Sequence, residues 1–316
     1  MKLDLTAILV QSALLLFLAP LLSGLIRNWK AKLQNRRGPR IWQPCFDVLK
    51  FIRKDMVISE HASWVFSVTP YIYFLTALSA GLMVPMVGAN APMSLFGGAL
   101  ALVGLLALGR FFLALGGLDP ASAFGGMGSS REMTLSAIAE PAMMLAIFTV
   151  ASSAGSTNLS QIVVVSQEPG WKLLDPAHVL AFSAMFIVLL AETGRIPVDN
   201  PATHLELTMI HEAMLLEYSG RNLALIEWGS SIKQLVLMTL LANIFFPFGL
   251  PLEQTPVSIV FALLFFLIKI VILGGAVVVV ETTNAKLRLF RVPDLLSGAF
   301  ILATLALVST FLFRQQ

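Results

Sequence analysis

The 316-residue chain is 57% hydrophobic and only 12% charged, with a formal net charge of +3 and a mean hydropathy of +0.83. A soluble domain carries about 25% charged residues, so the composition excludes one and points to an integral membrane protein. A single cysteine, Cys45, excludes a disulfide framework and a four-thiolate zinc or iron–sulfur set.

A membrane-crossing helix needs about 20 mainly apolar residues. The first apolar run, Leu5–Ile26, is too long for a signal-peptide core and lacks a small-residue cleavage site, so it reads as a span. A basic segment follows, with Arg36, Arg37, Gly38 and Pro39 forming a turn between charged residues. Beyond it, Phe46, Leu49 and Ile52 alternate with Asp47, Lys50, Arg53 and Lys54. That pattern predicts a short amphipathic helix at the interface, its basic side chains snorkelling. Spans Phe66–Gly88 and Ser94–Gly116 come next, parted by turn formers around Asn90 and Pro92.

The glycine-rich segment Gly125 to Glu132 is expected as a loop leading into the span Glu132–Ser153. Its glycines resemble a phosphate cradle, but no strand precedes them and no Gly-Lys-Ser/Thr follows, which argues against nucleotide binding. The span Pro176–Thr193 ends near Gly194 and Pro197 and opens the longest polar interruption. Within it, Thr203 to Tyr218 mixes apolar and acidic residues and suggests a helix packed on the membrane face. The last spans are Asn222–Phe246, Val257–Val280 and Pro293–Leu312. The expected fold is an all-α integral membrane protein of about eight transmembrane helices plus amphipathic loop helices. It forms one polytopic domain, 1–316, with cytoplasmic loops at approximately 27–65, 117–131, 193–221 and 281–292.

Basic residues set the orientation, because they favour the cytoplasmic side. With the N-terminus outside, the inner loops hold fifteen lysines and arginines and the outer segments three, Lys2, Lys172 and Arg314. Both termini are therefore expected on the outer side of a bacterial or archaeal cytoplasmic membrane. The lipid bilayer is the environment, and no nucleic-acid partner is expected.

The third inner loop concentrates five carboxylates, Glu192, Asp199, Glu206, Glu212 and Glu217, against Arg195. A zinc-protease helix would need a second histidine at position 215, and His204 to His211 is no standard ligand spacing, so metal binding is disfavoured. Glu140, Glu227, Lys233 and Lys269 fall inside spans, where ionisable groups are costly and usually face protein or water. Arg110 suits either a snorkelling or a buried position. Two readings follow for the charges in the spans: static ion pairs, or a hydrated proton route through groups perturbed by burial.

Several strings carry a family resemblance. Arg36-Arg37-Gly38-Pro39 with Gln43, Pro44, Asp47 and Lys50 resembles the first cytoplasmic loop of subunit 1 of respiratory complex I. The run from Glu192 through Arg195 and Asp199, then Glu206 and Glu217-Tyr218, is similar to that subunit's acidic loop between its fifth and sixth helices. Arg131 with Glu140 nine residues later matches a third landmark. The detail around Arg131, Arg195 and Tyr218 resembles the subunit-C-type membrane anchor of group 4 [NiFe] hydrogenases, including hydrogenase-4 and formate hydrogenlyase. Between Asp199 and Glu206 the sequence departs from complex I where its quinone chamber is framed, which speaks against quinone binding.

That resemblance implies a non-catalytic subunit of an oxidoreductase complex that binds no cofactor itself. The [NiFe] centre and iron–sulfur clusters would lie in soluble hydrogenase large and small subunits and iron–sulfur proteins. Arg36, Arg37, Gly38, Pro39, Gln43, Asp47, Lys50, Arg131, Arg195 and Tyr218 would serve docking. Glu140, Glu192, Asp199, Glu206, Glu212, Glu217, Glu227, Lys233 and Lys269 would form a proton (or sodium) route toward antiporter-like membrane subunits. Rival readings are a complex I subunit that helps form a quinone site, a stand-alone secondary transporter, and a passive anchor.

Overall fold

Inside a bilayer the backbone must satisfy its own polar groups, so long apolar runs fold as helices. The computed structural model describes residues 5–167, 175–200, 209–251 and 256–313. Ten helices occur among them: α1 (Leu5–Leu33), α2 (Gln43–Ile52), α3 (Trp64–Met83), α4 (Ala99–Leu118), α5 (Ala123–Ala154), α6 (Leu159–Val165), α7 (Pro176–Glu192), α8 (Gly220–Phe245), α9 (Pro256–Thr283) and α10 (Val292–Phe313).

Six of the described helices, α1, α3, α4, α5, α9 and α10, are long and apolar enough to cross a membrane. The expectation of eight rested on α7 and α8 as well. Helix α7 has only 17 residues, and α8 carries Arg221, Glu227 and Lys233. The reason lies in position. Every residue of α8 from Ile232 to Phe245 is buried, with α1, α3, α7 and α9 packed around it. A helix enclosed by protein needs no apolar coat on a lipid-facing side. The coat appears instead on α9, where Val260, Phe261, Leu264, Ile268 and Ile272 are exposed, and on α10, with Ile301, Leu305 and Val308.

Local structure corrects two expectations at the charge-rich end of the bundle. The segment from Gly125 to Arg131 is not a loop but the first turns of α5, capped by Ser122 Oγ, which accepts from the Gly125 amide at 3.2 Å. Its glycines serve close packing: a Cβ on Gly125 would lie 2.1 Å from the Gly117 carbonyl oxygen, and one on Gly128 2.8 Å from Ala213 Cβ. The expected helix from Thr203 to Tyr218 falls partly outside the described residues. Its described part is turns and one short 3-10 helix, Glu212–Met214. The amphipathic helix expected after Phe46 is α2, with Pro44 and Val48 buried and Trp42, Phe46 and Leu49 exposed.

The opposite end is sealed by apolar turns and the short helix α6. Met86, Leu159, Ile162 and Leu250 are buried there. Polar side chains tie the turns to the helices: Asn243 Nδ2 donates to the Pro85 carbonyl at 2.8 Å, and Gln167 Nε2 to those of Pro247 and Leu250 at 3.1 and 3.0 Å.

Candidate functional site

Arg110 organises the interior. Gly109 lets α4 approach α3 closely, since a Cβ there would meet Thr76 Oγ1 at 2.5 Å. The neighbouring Arg110, 2% exposed, donates from Nη1 to Glu140 Oε1 at 2.5 Å and from Nη2 to Glu192 Oε2. Its Nε stands 3.7 Å from Glu132 Oε1. Lys233 Nζ reaches the same Glu192 oxygen at 2.8 Å. Helices α4, α5, α7 and α8 thus bring two cations and three carboxylates into one buried cluster. An unpaired charge at mid-span costs about 2.5–3.5 kcal/mol on insertion scales, which mutual pairing offsets.

A second cluster lies nearer the charge-rich end. Glu281, fully buried on α9, holds Lys30 of α1 at 2.9 Å and Arg195 at 3.3 Å. Arg195 Nη2 also donates to Gln234 Oε1 at 2.9 Å. Asp199 accepts from Lys286 Nζ at 2.7 Å and from the backbone amides of Asn200, Ile210 and His211 at 2.8, 3.1 and 3.3 Å. Between these groups opens a cavity of about 550 Å³, lined mainly by polar side chains that include Arg27, Lys30, Glu212, Glu227 and His211.

Burial, with Glu227 and Asp199 adding to it and Arg27 opposing, pushes the Glu212 carboxyl up to about 7. A carboxyl raised on folding binds more protons folded than unfolded. Its contribution to stability is complete below about pH 4.5 and is lost as pH rises through about 7. Glu212→Gln should therefore flatten the fall in melting temperature of the purified protein between about pH 5 and about pH 8. An unchanged slope would count against this placement.

The expected site residues separate into distinct groups. Glu140, Glu192 and Lys233 come together around Arg110, and Glu212, Glu227 and Asp199 line the cavity. Asp199 is saturated by its four donors and acts as a latch between two stretches of backbone. Glu217 is exposed, away from both clusters, and Glu206 lies outside the described residues. Among the described residues Lys269 joins no carboxylate; it donates to Asn243 Oδ1 at 3.2 Å and to the Phe246 carbonyl at 2.5 Å, capping the C-terminal end of α8.

Among the residues expected to serve docking, Arg36, Arg37, Pro39, Gln43 and Lys50 are exposed, with Gly38 and Asp47 half-buried. Gln43 Nε2 donates to Asp47 Oδ1 at 3.0 Å, and the Pro39 carbonyl accepts from Asn28 Nδ2 at 2.8 Å. Arg131 donates to the Met209 carbonyl at 2.8 Å, so it fixes the turn before Glu212. Arg195 and Tyr218, expected to serve docking, are both buried within the chain. Arg195 is held by Glu281, and Tyr218 stacks on Phe66 with ring centroids 4.1 Å apart.

Glu132, Glu281, Lys30 and Lys286 belong to the site without having been singled out from the sequence. Their signal was weak, because Lys30 and Glu281 sit near helix ends, Lys286 in the segment after α9 and Glu132 beside a glycine- and serine-rich run, where solvent exposure is the ordinary expectation. Among the described residues no group of three or more histidine, cysteine, aspartate or glutamate side chains could hold a metal ion.

Comparison with known proteins adds ancestry to this geometry. The family described as NADH dehydrogenase matches residues 5–312. The chain is 35% identical over 302 residues to formate hydrogenlyase subunit 4 of Escherichia coli (strain K12), covering 95% of this chain and 97% of the relative. It is 34% identical to hydrogenase-4 component C of the same organism, covering 95% and 94%. It is 31% identical to an NADH-quinone oxidoreductase subunit of Syntrophotalea carbinolica, covering 69% of each. A chain of the membrane-bound sulfane sulfur reductase, an archaeal respiratory membrane complex, has the same fold, with TM-score 0.83 and 20% identity over 96% of this chain and 99% of that one.

Proposed function

The chain belongs to the NADH dehydrogenase family as a membrane subunit of the formate-hydrogenlyase and hydrogenase-4 type, and we propose that it couples redox chemistry in a docked soluble module to ion translocation. The observation that carries this reading is the run of buried charge from the cavity to Glu140. It begins at Glu212 and Glu227, and continues in the membrane with Lys233, Glu192, Arg110 and Glu140. Charges this costly to bury are associated with ion pathways when they face one another inside a bundle. The exposed basic loop around Arg36, Arg37 and Lys50 supplies the docking surface for the soluble module. That module, with large and small hydrogenase subunits and iron–sulfur proteins, would hold the [NiFe] centre and clusters.

Glu140 supports a lateral continuation. Its side chain is 30% exposed although it lies well within α5, and a carboxylate does not face lipid. An antiporter-like membrane subunit is the proposed cover. In this reading all eight apolar helices cross a bacterial or archaeal cytoplasmic membrane, α7 and α8 included. Both termini lie outside, supported by the fifteen-to-three bias of basic residues toward the charge-rich end. The cavity's many charged side chains favour water and protons over a quinone, whose site would be mainly apolar.

The test uses inverted membrane vesicles carrying the assembled complex. Glu140→Gln and Lys233→Met should each lower redox-driven ion translocation at least tenfold while hydrogen chemistry in the soluble module continues. Translocation intact in both variants would sink the coupling reading and leave a passive anchor.

A further inference from the structure

A void of about 10 Å³ lies between the cavity and the Arg110 cluster, lined by Glu132, Asp199 and His211 together with apolar Leu135, Val198 and Ile210. It shares His211, Asp199 and Gly194 with the cavity, so it is the next space inward. A site needs roughly 10–15 Å³ and two to four polar partners to hold one water. Here the void has that size, and its polar groups are two carboxylates and an imidazole. His211 Nε2 is buried and has no hydrogen-bond partner, a costly state for a ring nitrogen unless something occupies the void.

Resting on the coupling reading above, we propose that His211 and Glu132, bridged by one water in this void, relay protons from the cavity to the Arg110 cluster. Asp199 cannot be the carrier, because Lys286 and three backbone amides already occupy its carboxylate. A proton reaching the ring from the cavity makes it imidazolium. Loss of a proton from Nε2 to the water, and of one from the water to the Glu132 carboxylate, leaves a neutral ring and a neutral acid.

Onward transmission runs through Arg110. Its Nε is buried and lacks a hydrogen-bond partner, with Glu132 Oε1 3.7 Å away. An ionised Glu132 competes for the guanidinium; a protonated one releases it to Glu140 and Glu192. The groups acting on the imidazole come from every side: Glu132 on α5, Glu227 and Lys233 on α8, and Asp199. Burial lowers the pKa of His211, with Lys233 adding to it and the three carboxylates opposing. The ring is therefore neutral at rest, and its imidazolium form is short-lived.

The same vesicles test the relay. Glu132→Gln and His211→Gln should each lower redox-driven proton uptake at least tenfold and raise its solvent deuterium isotope effect. The double variant should fall no further, since two groups in one series path are not additive. Full uptake in either single variant, an unchanged isotope effect, or losses that multiply in the double variant overturn the relay. Glu140→Gln separates the two readings. Uptake lost there but kept in Glu132→Gln removes the relay alone; uptake kept in both Glu140→Gln and Lys233→Met removes the coupling reading. Should a variant fail to assemble, a density map of the wild-type complex that resolves waters decides. One water between His211 Nε2 and Glu132 is expected, and an empty void overturns the proposal.

Discussion

Arg110→Gln should destabilise the chain by about 3–5 kcal/mol, the cost of breaking a buried ion pair by removing one partner. Glutamine leaves Glu132, Glu140 and Glu192 facing one another with only Lys233 to balance them. Lysine should not rescue it. One ammonium cannot reproduce a planar fork that reaches Glu140 from one nitrogen and Glu192 from another. The effect is read as lost melting temperature and lost accumulation in membranes. A second change, Glu140→Gln in the Arg110→Gln background, should recover part of the loss by removing a carboxylate whose ion pair was with Arg110, while Glu192 keeps Lys233. A single variant that melts like the wild type would show that the cluster is hydrated and held by water, not by the arginine.

Glu281→Ala should cost a similar amount, about 3–5 kcal/mol, for the mirror-image reason. Its carboxylate is fully buried and is the acid against both Lys30 and Arg195. Removing it strands two cations and unties α1 and the 195–200 stretch from α9. The loss has a local signature that a general destabilisation lacks. Backbone amides from Arg195 to Asn200 should exchange with solvent faster, while those on the buried half of α8 keep their protection. Equal loosening at both places would mean that Glu281 supports the whole bundle and does not secure this segment in particular.

Much of the frame was legible because hydropathy reports burial in lipid directly. The runs beginning at Leu5, Val257 and Pro293 became helices facing lipid, and the spacing of Phe46, Leu49 and Ile52 became α2. What hydropathy could not report was the surroundings of α8. Its polar residues Glu227, Ser230, Ser231 and Gln234 face protein and a cavity, an environment that no local pattern distinguishes from solvent. Arg110 illustrates the same limit. Its depth fits either snorkelling or burial, and only Glu140, Glu192 and Glu132, brought from two other helices, decide between them. Lys269 looked like a link in the charge chain by depth alone; its partners turned out to be a carbonyl and an amide. The glycines at 125 and 128 carried the signal of a loop, but their small size serves the contact of α5 with α4 and the 210–214 turn.

The division of α8 into a polar half and a dry half has an electrical consequence. From Leu235 to Ala242 the helix carries no ionisable side chain and every residue is buried, so this part of the protein should behave as a thin dielectric slab. Voltage falls mainly across such a layer, where moving one elementary charge costs about 2.3 kcal/mol per 100 mV. The cavity and the Arg110 cluster lie on one side of the slab, close to the potential of the compartment they open from. In the coupling reading, protons taken up there would cross little of the field, so their uptake should be insensitive to membrane potential. The electrical work would then fall on the step that carries charge away from Glu140.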